Sequence, residues 1–331
     1  MSRSPRGHRG RLPALIYFDT NVYSAIVRDR GVDDVRRLLR RTRTRLLASS
    51  HNLLETFRAP VQDRVHRIEA IVALARIKEV EPSHYRTAME IRNEIRRLRP
   101  LWLQSNPDLR RSKSMLARYR QLWSNVASDP HYTLPQADLL GQSARYLINS
   151  QKARRAGELS VGRQASRLLP ELKEKYQPYL DRMPKEEAYW RIASAANWWY
   201  SLRDGRPLDD YRDWLLPYLE LERITPDDWT MFWIGQIQAV RDRSLRFVEY
   251  FQTSSRTDAG NFEDLLHATY MFDVDAVATS DARFYGHLSQ LQKQPWIGKC
   301  ALPLFLGGDG RSAATVLGDR LLELSYRMSV T

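Results

Sequence analysis

Short apolar runs alternate with helical periodicity at both ends of the 331-residue chain and vanish in between, and nothing else in it restricts folding as strongly. Near the start, LIYF (Leu15 to Phe18) runs straight into Asp19, and apolar positions then return at helical spacing from about Asn21 to Arg28. A run without polar alternation marks a strand buried on both faces, as in a parallel sheet covered by helices. That strand is expected over Leu12 to Phe18. RLLAS (Arg45 to Ser49) and ARIKEVEPS, stopped at Pro82, read as two more short strands. Helices are expected in VDDVRRLLRRTR, from HNLLETF, over Asp63 to Leu74 and over His84 to Leu98. After Gly260 the alternation resumes. NFEDLLHATYMF is a helix, VDAVATS (Val274 to Ser280) a buried strand, DARFYGHLSQL a helix, CALPLFL a weak strand and AATVLGDRLLEL a closing helix. The pattern predicts an α/β fold, a parallel sheet of four or five strands flanked by helices.

The middle has a different texture. Residues 100–256 hold eight of the nine tryptophans, with helical periodicity and almost no strand signal, and prolines cut them into six to eight helices. The chain therefore divides into a basic, disordered tail (1–11), an α/β domain in two pieces (12–98 and 257–331) and an all-helical insertion (99–256). Cys300 is the only cysteine, which excludes disulfides and cysteine-based zinc sites. No apolar run approaches the roughly 18 residues that span a bilayer. The apolar stretch behind the basic tail is interrupted by Asp19 too early for a signal peptide, so the expected location is cytoplasmic, without membrane contact.

The net charge is +13, and residues 1–99 carry 22 Lys/Arg against 11 Asp/Glu. An excess of that size points to a polyanion, of which nucleic acid is the commonest in the cytoplasm. A solvated helix face or an acidic partner protein would account for it too. Candidate phosphate contacts are Arg40 and Arg41 in the first third, and Arg96, Arg97, Arg110, Arg111 and Lys113 around the start of the insertion. The tryptophans could stack on single-stranded bases, although at helical spacing such residues are more often core.

Two of the buried-type strands end alike, LIYF at Asp19 and VATS at Asp281. In a parallel sheet all carboxyl ends share one edge, which would bring the two together across 262 positions. Glu55, a turn into the helix after RLLAS, and Asp264, at the start of the helix before VDAVATS, could reach the same rim. Taken singly, each acid also reads as helix-cap chemistry: Asp19 and Asp281 as caps, Asn52 with Glu55 and Asn261 with Asp264 as capping boxes.

As a set, YFDTNVYSAI, SSHNLLETF, FEDLLHATYMFDVDAVATSDARF and the closing TSD resemble a PIN domain. That family of metal-dependent nucleases includes toxins of bacterial toxin–antitoxin pairs. The resemblance covers roughly residues 12–98 and 257–331, and the insertion departs from the compact family pattern. It implies that Asp19, Asp264 and Asp281 are metal ligands and that Glu55 is a ligand or positions the attacking water. Asn21 and Thr279 would steady the Asp19 loop. It also implies a ribonuclease, most simply an endonuclease, that leaves 5′-phosphate and 3′-hydroxyl ends, a preference for RNA over DNA, and a toxin or defence role with an antitoxin-like inhibitor and homo-oligomers as partners. The competing reading is a PIN fold that binds nucleic acid or scaffolds without cutting. Four carboxylates at close quarters repel one another unless a cation neutralises them, and oxygen ligands select Mg²⁺ or Mn²⁺. His267, three residues after Asp264, shares its helical face and could touch substrate, although a histidine so placed is more often packed or on the surface. No Walker-type loop, Gly-x-Ser-x-Gly elbow or His/Cys zinc spacing is present. An aspartate-nucleophile phosphatase wants a second Asp where Asn21 stands.

Overall fold

The computed structural model describes residues 14–79, 81–132, 173–204, 210–252, 260–308 and 310–330. The basic tail and the first positions of the expected opening strand lie outside them. Five strands form one all-parallel sheet: β1 (Leu15–Phe18), β2 (Arg45–Ala48), β3 (Ile77–Lys78), β4 (Ala276–Thr279) and β5 (Leu302–Phe305). Their spatial order is β3-β2-β1-β4-β5. Among the described residues fourteen helices accompany them. The first six are α1 (Thr20–Arg28), α2 (Val32–Arg41), α3 (Ser50–Thr56), α4 (Val61–Leu74), α5 (Ser83–Leu98) and α6 (Arg110–Ser128). Four more belong to the tryptophan-rich stretch: α7 (Lys173–Leu180), α8 (Lys185–Asp204), α9 (Asp210–Leu215) and α10 (Pro226–Ile234). The last four are α11 (Val240–Gln252), α12 (Gly260–Ala268), α13 (Ala282–Gln292) and α14 (Ala313–Val330). The expected α/β fold, a parallel sheet interrupted by helices, is what the chain adopts.

The central strands are apolar throughout because each face meets a different core. Ile16 and Phe18 point into one, with Leu46, Ala48, Ala276 and Ala278, under α1, α2, α4 and α14. Tyr17 points into the other, with Leu47 and Val277, under α11, α12 and α13. The period-2 geometry of a strand enforces this division. Pro303 interrupts the apolar run of β5, yet it is tolerated there because β5 is an edge strand.

The helical segment builds a third core from Ala88, Ile91 and Ile95 of α5, together with Trp102, Trp190, Trp198, Trp214, Trp229 and Trp233. These tryptophans are packing residues rather than an exposed stacking surface. The segment is not a separate body. Leu122, Trp123 and Val126 of α6 pack into the first sheet core, and Leu245, Phe247 and Val248 of α11 pack into the second. α5, which the sequence assigns to the α/β part, contributes its apolar face to the tryptophan core. Polar joints reinforce the union. The Glu90 carboxylate accepts the Val240 and Arg241 N–H groups at 3.1 and 2.9 Å, capping α11. Arg86 lies 2.9 Å from the buried Glu79 and 2.6 Å from Asp273, which Arg241 also grips with two nitrogens. No helix of the described residues is long and apolar enough to cross a membrane.

From β1 the chain winds to β2 and β3 on one side, then returns to place β4 and β5 on the other. Such a reversal opens a crevice at the carboxyl ends of the two strands that flank it. Those strands are β1 and β4, which end at Asp19 and just before Asp281.

Candidate active site

Asp19 continues the β1–β4 ladder, its N–H donating to the Ala278 carbonyl at 2.9 Å. It stands at the N-cap position of α1, yet its side chain makes no cap hydrogen bond. Its Oδ2 instead accepts from Thr279 Oγ1 at 2.8 Å and from Asn21 Nδ2 at 3.2 Å. Asp281, by contrast, does cap: Oδ1 accepts the N–H groups of Arg283 and Phe284 at 2.7 and 3.0 Å. The Thr279 hydroxyl also accepts the Asp281 N–H at 3.0 Å, so one buried side chain ties the two acids together. Asn21 and Thr279 thus both hold Asp19 by hydrogen bonds.

Glu55 comes in from α3. The cap of that helix is Ser49, whose Oγ accepts the Asn52 N–H at 3.3 Å while Asn52 Oδ1 accepts the Ser49 N–H at 2.9 Å. Asn52 is therefore the reciprocal partner in the box rather than its cap, and Glu55 is released from capping. Asn52 Nδ2 also donates to the Phe18 carbonyl (3.0 Å) and to Thr20 Oγ1 (3.2 Å), locking α3 to the turn that carries Asp19.

The remaining donors ride on α12. The helix starts at Gly260, which puts Asn261 inside it and Asp264 in its second turn, on the face that also carries His267. His267 is the residue that the sequence undervalues. Fully buried, it places Nε2 3.1 Å from Glu55 Oε2 and 3.7 Å from Asp19 Oδ1, with Nδ1 2.5 Å from Tyr17 Oη. One ligand atom each from Asp19, Glu55 and His267 lies within 4.8 Å of the other two. That compact trio, rather than the four carboxylates alone, is the centre of the site. Asp264 stands beside it, 3.4 Å from Gln252 Nε2 and 3.8 Å from Arg283 Nη2, and Arg283 links it to Asp281 through its own backbone.

The electrostatics are those of crowding. Burial raises the Asp19 carboxyl above its ordinary value, with the charge of Glu55 adding to it and His267 opposing. Asp264 is raised further, by burial first and then by the charges of Asp19 and Asp281. Burial would raise Glu55 as well, but the His267 hydrogen bond and charge outweigh it and leave that carboxyl below its ordinary value. Burial would depress His267, but its bond to Glu55 and the nearby carboxylates hold it above. A site with more buried acid than cation invites a further positive charge.

No family model, curated protein or solved structure matches the chain.

The basic candidates scatter. Arg40 and Arg41 are exposed at the end of α2, which leads into the amino end of β2, the edge opposite Asp19. Arg97 is held by Glu94 and the Gln236 carbonyl, Arg110 by Asp108 and Arg111 by Asp213. Arg96 and Lys113 are exposed. Among the described residues, Arg283 stands 3.8 Å from Asp264, and Arg58 acts on Glu55 from just past the end of α3. Neither stood out in the sequence, since a lone arginine two or three residues from an acid carries no pattern of its own.

Proposed function

We propose that the protein is a metal-dependent nuclease of the PIN kind that hydrolyses phosphodiester bonds, RNA in preference to DNA. The observation that carries the reading is the cluster of Asp19, Glu55 and His267 at the switch point of a parallel sheet, with the charges of Asp264 and Asp281 close enough to act on one another. Their mutual charge is reflected in the raised Asp19 and Asp264 carboxyls. This donor set fits a hard divalent cation, Mg²⁺ or Mn²⁺, held by Asp19 and Glu55 with Asp264 and Asp281 beside them. Such an ion supplies charge to a phosphate oxygen and lowers the pKa of a bound water.

The chain's own groups do the rest. Thr279 and Asn21 occupy Asp19 Oδ2, which fixes the rotamer and leaves Oδ1 turned toward Glu55 and His267. Glu55 is partly exposed, suited to orient an attacking water. Arg58 and Arg283 flank the acids and suit a phosphate's negative oxygens. In-line attack with departure of the 3′-oxygen leaves 5′-phosphate and 3′-hydroxyl ends. The helical segment, fused to the sheet through α6 and α11, would limit which strands reach the crevice.

The test uses the full chain with end-labelled RNA and single-stranded DNA, in Mg²⁺, Mn²⁺ or EDTA, beside Asp19→Asn and Asp281→Asn. Cleavage that needs metal and disappears in both variants supports the reading. Cleavage indifferent to either substitution sinks the site, and binding without cleavage in every metal marks a non-catalytic nucleic-acid scaffold.

A further inference from the structure

We infer that His267 is itself a metal ligand, coordinating through Nε2, so that the centre is a mixed imidazole–carboxylate site that prefers Mn²⁺ to Mg²⁺. The inference rests on the nuclease reading only in taking the ion to be a divalent cation. Two independent features of the geometry support it. The first is the trio itself: Nε2 shares a 4.8 Å cluster with one oxygen each of Asp19 and Glu55, close enough for one ion to replace the direct contacts among them. The second is what lies behind the ring. Ligating histidines characteristically donate their other N–H to a fixed acceptor, which sets the tautomer and aims the lone pair.

Here that acceptor is Tyr17, on the strand that ends at Asp19, backed by buried groups at the start of α3. Tyr17 Oη sits 2.5 Å from Nδ1, and 2.9 Å on its other side is Ser49 Oγ. Ser49 in turn donates to Asn52 Oδ1 at 3.2 Å, and Asn52 Nδ2 donates to the Phe18 carbonyl. With Nδ1–H donating to Tyr17, Tyr17 to Ser49 and Ser49 to Asn52, every hydrogen runs in one direction and Nε2 is left with a lone pair facing the carboxylates. When an ion enters, any proton on Nε2 leaves to solvent. Tyr17 stacks on Tyr270 at 4.5 Å between ring centroids, so the chain of donors stays in register. Tyr17 and Asp19 are two residues apart on one strand and thus on one face of it, and β1 carries both a ligand and the support of another. Tyr17, Ser49 and Asn52 are positioning residues.

A nitrogen donor changes the choice of ion. Mg²⁺ demands near-ideal octahedral geometry and gives up its waters reluctantly, whereas first-row transition ions take a nitrogen donor more readily, and Mn²⁺ is the one of them that also suits carboxylate oxygens. The test is pulsed EPR of Mn²⁺ bound to the full-length protein, with equilibrium binding of Mn²⁺ and Mg²⁺ measured in parallel. Wild type is expected to show ¹⁴N coupling from a directly bound imidazole and to bind Mn²⁺ more tightly than Mg²⁺. His267→Gln is expected to lose the coupling and most of the preference while still binding Mg²⁺. Tyr17→Phe, which keeps the ring stack, is expected to keep the coupling but weaken Mn²⁺ about tenfold. Mn²⁺ binding that depends on Asp19 but shows no ¹⁴N coupling overturns the inference and leaves the nuclease reading standing. So does coupling that survives His267→Gln. Absence of any Mn²⁺ or Mg²⁺ binding by wild type overturns the inference and the metal-dependent reading together.

Discussion

Two aspartates of this molecule are equally buried and could hardly be more different. Asp19 is 1% exposed at the sheet edge, and Asp242 is 2% exposed inside the helical segment. Asp242 is surrounded by donors. The indole N–H groups of Trp190 and Trp198 reach it at 2.9 and 3.0 Å, and the Ser194 hydroxyl donates to it as well, all from successive turns of α8. Asp19 has one hydroxyl and one amide on a single oxygen, while its other oxygen faces Glu55 and His267. Burial of a carboxylate is therefore no sign of function by itself. A buried acid whose neighbours are mostly donors holds helices together, and one whose neighbours include other acids is a candidate for binding a cation.

That contrast breaks first at Asp19. Asp19→Asn should reduce metal-dependent cleavage on the order of 10³-fold, since a bound ion contributes several kcal/mol to the transition state. Its Tm should be no lower than that of wild type, because a crowded charge is removed; a large fall in Tm with proportionate activity would make Asp19 structural. The converse change, Asp242→Ala, should cost about 3 kcal/mol of unfolding free energy by orphaning two indoles and a hydroxyl. Cleavage per folded molecule should stay the same, which denaturant melts and active-fraction assays would check. Thr279→Val keeps the shape but deletes the hydroxyl between Asp19 and Asp281. Titration calorimetry should show metal affinity lowered about tenfold, the usual size of a support effect.

The smallest effect belongs to Glu79, a third buried acid that lies between the two types. Burial pushes its carboxyl from 4.5 up to about 8, with the Arg86 charge pulling the other way. The folded state thus holds this proton more tightly than the unfolded chain does. The stability it contributes is present below pH 4.5 and is lost as pH rises through about 8. Thermal melts of Glu79→Gln should match wild type near pH 5 and exceed it by a few degrees at pH 9. A variant that melts lower at both would mean that the ion pair with Arg86 outweighs burial.

The sheet could be read from the sequence because its strands needed apolar residues on both faces, and LIYF, RLLA and AVAT have them. β3 shrank to two residues and α5 crossed to the tryptophan core because periodicity reports that a face is apolar, not what it meets. Asp19 and Asp281 were visible as strand ends, although only the structure separates the acid that caps from the one that does not. In the sequence His267 shows only that it shares a helical face with Asp264. Its significance lies in Tyr17, 250 positions earlier, and in Glu55, 212 earlier, and neither separation leaves a local trace. The tryptophans were legible as core for the opposite reason: their spacing along single helices already showed that they share a face.

One further consequence follows from the pairing of Ile16 with Ala276. β1 is synthesised some 260 residues before its partner β4, a lag on the order of tens of seconds at ordinary rates of translation. Until then the Asp19 strand has β2 on one side and nothing on the other. The crevice cannot exist on a nascent chain that has yet to reach β4, since Thr279, Asp281 and His267 all follow the helical segment. Nothing can bind through all of these groups together until translation has passed the helical segment and β4.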